Sequence, residues 1–392
     1  MNFSALRIIF LAFRPVFYFV NPIISRLSDF IALLLLSPIK NKISTRVFVP
    51  VACLLMYLIV ILVSLINFAF SRGGFVISDF FEIARPIYWI LGLLFGASAT
   101  GSIGFQSVCR IIVGISILNT IAGILMLLFP ESLKFLYVVY NVPNLYFHGR
   151  PGGIAYTHTE FVALNVLGLL ALYISNLKLK KVITIILVIG SFVPMSKGGV
   201  LFVFVFLFSA LCFHRLFFSV LFAIFFASTV YLAFDYLMDL AKEQVPYLYW
   251  GFHSLFELLK TGYTTDGSIG PRFNDWVVAI NYSFTDLAYL IGNSPMRGYE
   301  KDLSYIESTV PNVLFRFGFL GLFYYYGAMF VSSCLVAKRH RRLVFAFFFS
   351  LVVADCTANF SESIKFMTLI SIFLGALLQG SPQRIIGDHL ND

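Results

Sequence analysis

Charge is scarce in this chain: 12% of its residues are Asp, Glu, Lys or Arg, while 59% are hydrophobic and the mean hydropathy is +0.90. A soluble domain of that composition would carry apolar surface on every side, so lipid must be the solvent for most of the chain. Cysteine is sparse as well, and its placement excludes two further classes. Cys53, Cys109, Cys212, Cys334 and Cys356 all fall inside or at the edge of apolar runs, with no Cys-x-x-Cys and no Cys/His spacing. Neither a disulfide framework, a metal site nor a cofactor is expected, and the five read as small core- or lipid-facing residues. Long polar stretches are missing too, because one wide gap, between about Asp235 and Val310, is all that interrupts the apolar runs. One polytopic membrane domain over 1–392 is therefore expected, not a soluble domain on an anchor.

What is present is a series of runs that can cross a hydrocarbon core, which takes roughly 17–25 residues each. They lie near residues 5–21, 24–38, 48–70, 86–103, 108–129, 160–176, 180–195, 198–213, 216–237, 312–336, 343–357 and 363–379. The pattern predicts an all-α fold of about twelve transmembrane helices, with a large extracytoplasmic loop, 238–311, between the ninth and tenth. The first two runs are broken by Arg14-Pro15 and Asn21-Pro22, and Arg26 and Asp29 stand one helical turn apart, a spacing that pairs charges. The first run leads into the second without a small-residue cleavage motif, so a cleaved signal peptide is not expected. No inverted internal repeat is visible.

The net charge of +9 reports topology and does not call for a nucleic-acid partner. With the N-terminus cytoplasmic, the connections holding Lys40, Lys42 and Arg46, then Lys178, Lys180 and Lys181, then Arg215, then Lys338, Arg339, Arg341 and Arg342 all fall on the cytoplasmic side. That satisfies the positive-inside rule and leaves both termini cytoplasmic. Every acidic residue from Asp79 to Glu362 then falls in an outer loop or at the outer end of a helix.

Three outer segments concentrate polar chemistry. Asn141 to Glu160 packs His148, Arg150, Pro151, Gly152, Gly153, His158 and Glu160 just before a run. Arginine grips phosphate through two hydrogen bonds, and Pro-Gly-Gly lets backbone approach a ligand; a hairpin whose Arg snorkels to headgroups fits the same residues. Pro194-Met195-Ser196-Lys197-Gly198-Gly199 sets a lysine at the tip of an outer turn, either as a simple cap or as a cation at the floor of an anion cavity.

The third segment runs from Asp235 to Pro311 and is too aromatic for disorder. Pro246 to Lys260 has the rhythm of an interfacial helix, Gly262 to Gly270 reads as a link, and a second amphipathic helix follows Pro271. Arg272, Asp275 and Trp276 share one face of it, as a phosphate-and-sugar platform or as a local ion pair. A turn around Arg297 leads to Glu307-Ser308 and a helix holding Gly318-x-x-Gly321.

Taken in this order, the elements resemble the bacterial O-antigen polymerase (Wzy-type) family and the related O-antigen ligases. The likeness lies in Arg150-Pro-x-Gly before a helix with Asn165 and Gly168, the Met-Ser-Lys-Gly-Gly turn, the large penultimate outer loop with Arg272 and Trp276, and Glu307-Ser308 before the Gly-x-x-Gly helix. It covers most of the chain, from about Arg150 to Leu322 in motifs and beyond that in topology. Where the ligases usually have His-Asn, this chain has Glu307-Ser308, which favours polymerase. The resemblance implies metal-independent, inverting glycosyl transfer on the outer leaflet of a bacterial inner membrane, with an undecaprenyl-diphosphate-linked oligosaccharide as substrate and a flippase and a chain-length regulator as partners. Carried onto this sequence, it gives Arg150 and Arg272 to the diphosphate, with Lys197 and Arg297 behind them, and Glu307 as base, with His158, Glu160 and Asp275 behind it. His148 and Trp276 complete the substrate contacts.

Two other classes remain open: a transporter of lipid-linked oligosaccharide, and a scaffold of an export assembly. A transporter would need charges deep within its helices, and the runs read as holding few.

Overall fold

Long apolar runs in lipid must satisfy every backbone N–H and C=O internally, and the helix does so within a single segment. The computed structural model describes residues 2–14, 22–38, 42–72, 77–129, 151–155, 157–194, 196–212, 269–281, 287–293, 306, 308–361 and 363–380. Among these no strand occurs. The helices are α1 (Phe3–Phe13), α2 (Pro22–Leu35), α3 (Thr45–Arg72), α4 (Ile77–Ile103), α5 (Phe105–Leu128), α6 (His158–Ile174), α7 (Lys180–Phe192), α8 (Lys197–Cys212), α9 (Ile269–Asn281), α10 (Ala288–Ile291), α11 (Thr309–Leu335), α12 (Lys338–Asp355) and α13 (Ile364–Gly380).

A helix stands at each expected run except 216–237, which lies outside the described residues, as does the expected helix at 246–260. By length and composition, four stretches can cross a membrane: Thr45–Asn67, Glu82–Ile103, Phe105–Leu128 and Thr309–Leu335. The α1 helix, with 11 residues, covers about 16 Å, roughly half of a hydrocarbon core. Asp29 of α2 pairs with Arg14, the residue that follows α1, at 3.4 Å. The Arg26 side chain lies outside the described residues.

The centre is built around α6 and α13, which are apolar all round and buried from Phe161 to Leu172 and from Phe366 to Leu378. Glycine brings α13 against α4. A Cβ at Gly96 would overlap the Ile372 carbonyl, one at Gly375 would overlap that of Leu93, and one at Gly92 would lie 2.9 Å from Ser371 Cβ. Gly92-x-x-x-Gly96 is thus a small-residue seam that lets two parallel backbones touch.

The helices gather their ends at two faces. At one stand Lys42, Arg46, Lys178, Lys180, Lys181, Lys338, Arg339, Arg341 and Arg342, tied by Gln379, which accepts the Ser44 N–H (2.7 Å) and donates to the Lys42 carbonyl (3.1 Å). None of the acidic residues among those described lies at this basic end. The opposite, far end gathers the starts of α4, α6, α8, α11 and α13.

One helix is broken. Gly318 inside α11 has φ 64°, ψ −167°, and α10 is wedged against the break. The carbonyls that lose their helical partners find others: Phe315 accepts from Asn293 N (2.8 Å) and Nδ2 (3.2 Å), and Arg316 accepts from Ser64 Oγ (3.0 Å). Gly318-x-x-Gly321, expected inside a continuous helix, therefore marks a discontinuity.

Candidate functional site

Five sequence segments far apart in the chain meet at the far end. The Thr157 hydroxyl caps α6 by accepting the Glu160 N–H (3.2 Å), and the Ser196 hydroxyl does the same for Gly199 at the start of α8 (3.2 Å). Gly199 packs on Val162 of α6, while a Cβ at Gly198 would stand 3.2 Å from Ala358 in the α12–α13 connection. The Ala358 carbonyl accepts the Thr309 N–H (3.2 Å) at the start of α11. From the long segment between α8 and α11, α9 closes the group, since the Asp275 carboxylate accepts the Ser308 N–H (3.2 Å) and Trp276 Nε1 donates to the Cys356 carbonyl (3.2 Å).

Of the sequence candidates, His158, Glu160, Asp275 and Trp276 are described in full, and all four belong to this end. Arg150, His148, Arg297 and Glu307 lie outside the described residues. For Arg272 and Lys197 the helical backbone is described and the side chain is not. Arg272 is in the first turn of α9, one turn before the Asp275–Trp276 pair that docks the helix; Lys197 opens α8. Ile306 and Ser308, on either side of position 307, are both buried.

Asp275 is 1% exposed, and Trp276 spends its indole N–H on backbone. Both bonds hold helices together. Glu160, Arg14 and Asp29 all lie within electrostatic reach of Lys365, the second residue of α13.

The segment leading into α6 is pinned as well. Asn119 of α5 accepts the Ile154 N–H (3.1 Å) and donates to the Phe161 carbonyl (3.1 Å). Pro151 and Gly153 are buried.

Several charges are buried inside the bundle near the ends of their helices. Glu82 of α4 bridges Arg85 (3.0 Å) and Arg316 (2.9 Å), and the Arg316 side chain is fully buried against the Phe317 ring. Asp355 is fully buried at the end of α12. It accepts from Tyr326 (2.8 Å), the Phe360 and Ser361 amides (3.1 and 3.0 Å) and the Ser361 hydroxyl. The signals were there: Glu82 and Arg85 stand at i,i+3, and Arg316 and Asp355 fall inside apolar runs, where ionisable residues mark function or tight pairing. Among the described residues no three His, Cys, Asp or Glu side chains group to hold a metal ion.

No protein-family model matches this chain, and no curated protein matches it either.

Proposed function

We propose that the chain is a polymerase of lipid-linked oligosaccharide repeat units, an inverting, metal-independent glycosyltransferase with about twelve spans in a bacterial inner membrane. Both termini and the basic end face the cytoplasm, and the far end faces the periplasm. The observation that carries this reading is the convergence of segments: the starts of α6 and α8, the loop helix α9 and the start of α11 are hydrogen-bonded or packed into one cluster at the end opposite the basic loops. These are the segments that hold Arg150, Lys197, Arg272 and Glu307, and a reaction at the membrane surface needs cations and a base in one place.

In the reaction, the acceptor hydroxyl of a newly delivered repeat attacks the anomeric carbon of the growing chain. The bond from that carbon to the diphosphate oxygen breaks, the new glycosidic bond forms, and the hydroxyl proton passes to Glu307. Arg150 and Arg272, aided by Lys197 and Arg297, take the charge left on undecaprenyl diphosphate, which arginine can do without a metal. His158 and Glu160 complete the acceptor side, with His148 and Trp276 on the sugars. A flippase supplies the repeats, and a chain-length regulator sets the product.

Complementation tests this in a host that makes the lipid-linked repeat and lacks its polymerase, with glycan length read on a gel. Wild type is expected to restore a ladder; Arg150→Ala, Arg272→Ala and Glu307→Gln, at equal membrane abundance, are expected to leave single capped repeats. No ladder from wild type in its matched host, or full length from all three variants, removes the reading. The buried Glu82–Arg316 pair favours one other reading, transport of the same lipid-linked substrate. Flux of labelled carrier across proteoliposomes with no glycan growth would replace the polymerase with it.

A further inference from the structure

Among the described residues, one side chain holds the loop that enters the far-end cluster. Asn119, fully buried on α5, spends its whole amide there. Its Oδ1 accepts the N–H groups of Ile154 (3.1 Å) and Ala155 (3.4 Å), and its Nδ2 donates to the Phe161 carbonyl and to Asn165 Oδ1 (both 3.1 Å). Asn165 Nδ2 passes the chain on to Thr120 Oγ1 at 3.0 Å. Two donors and two acceptor positions are all that an asparagine amide has, and all four are used.

The geometry explains why an amide stands here. Residues 151–155 are irregular backbone buried among helices, so their N–H groups need a partner from outside the segment. Gly153 sits at φ 60°, and a Cβ there would lie 2.5 Å from both Asn119 Oδ1 and the Phe161 ring. The segment can lie on Asn119 because it has no side chain at that point. Asn119 bonds on both sides, to the loop through oxygen and to α6 through nitrogen, so the loop and the helix it leads into keep one register against α5.

We infer that Asn119 is a positioning residue. By holding Ile154 and Ala155 it fixes residues 151–155 against α5 and the start of α6, and so fixes how His158 and Glu160 enter the far-end site. The inference rests on the polymerase reading for its consequence in activity, and on hydrogen bonding alone for its consequence in structure.

The test joins hydrogen–deuterium exchange on the full-length protein in lipid nanodiscs to glycan length in the complementation host, at equal membrane abundance. Asn119→Ala removes the acceptor, and Gly153→Ala lifts the loop away from an intact Asn119. Both are expected to raise exchange in the peptide 152–157 about tenfold or more and to shorten the glycan. Asn165→Ala breaks the same network on its other side while leaving Oδ1 in place, and is expected to do neither. A merely structural role would make all three variants behave alike, and that result overturns the inference. Raised exchange with full-length glycan in Asn119→Ala overturns it too, because the loop would then be held to no purpose at the site. If wild type makes no polymer in its matched host, the polymerase reading falls, and the exchange comparison alone decides whether Asn119 holds the loop.

Discussion

Arg316 Nη2 stands 2.9 Å from Glu82 Oε1 with its guanidinium wholly shielded from solvent, while Arg85 reaches the other oxygen of the same carboxylate at 3.0 Å. Two cations on one buried acid tie α4 to α11 just before the break in α11. Truncating one partner of a buried pair leaves the rest desolvated without compensation, so Glu82→Ala is expected to cost roughly 3–5 kcal/mol. Thermal unfolding in detergent, followed by tryptophan fluorescence, measures it. The double variant Glu82→Gln, Arg316→Gln should recover part of the loss, because it removes charge from both sides.

The break itself yields a second prediction. Gly318 is at φ 64°, ψ −167°, a region open essentially to glycine, where a side chain costs about 1–3 kcal/mol, and a Cβ there would lie 2.5 Å from the Leu290 carbonyl group. At Gly292, φ 85°, a Cβ would overlap the Arg316 carbonyl, which Ser64 holds in place. Gly292→Ala and Gly318→Ala are both expected to lower the unfolding temperature, Gly292→Ala more. Gly327→Ala in the same helix, with open space around it, should change the temperature little or raise it slightly.

The helices were legible because an apolar run of sufficient length has few other fates in lipid, and α3, α5 and α11 formed where the runs lie. The partners of each helix were not. In water a polar face tells a helix which side to bury; α6 and α13 have none, so periodicity says nothing of what Phe161 or Ile372 touches. Gly92 and Gly96 did carry a contact signal, the four-residue small spacing, but a spacing names no partner, and the α13 backbone became visible only in three dimensions. Gly318 read as a helix glycine because its signal, Asn293 bonding to the Phe315 carbonyl, arrives from a separate segment. The tasks of Asp275 and Trp276 were missed because a buried carboxylate and an exposed one look alike in sequence.

At the basic end, His340 opens α12 ahead of its apolar stretch. Burial, with Arg339 and Lys180 nearby, pushes its imidazole down from 6.5 to about 4. The unfolded chain therefore takes up a proton near pH 6.5, which the folded protein refuses until about pH 4. Stability from this group is complete above that window and is lost as pH falls through it. Unfolding temperature measured from pH 7.5 to 4.5 should decline less steeply in His340→Gln than in wild type; equal slopes would show that the imidazole titrates normally in the fold.

Asp275 separates a base from a brace. It is 1% exposed, and its Oδ2 accepts the amide of Ser308, next to position 307. An asparagine keeps an oxygen for that amide but cannot take a proton, whereas alanine frees the amide altogether. Asp275→Asn is therefore expected to retain most of the glycan length and an unaltered pH dependence. Asp275→Ala should shorten the glycan and cost about 1–3 kcal/mol of stability, as buried hydrogen-bond groups left unmet do. A proton acceptor in the reaction would respond otherwise: both variants would fail equally, and the residual activity of each would lose the acidic limb of its pH profile. Glycan length scored across pH for the two variants in parallel tells the brace from the base, because stability alone cannot move that limb.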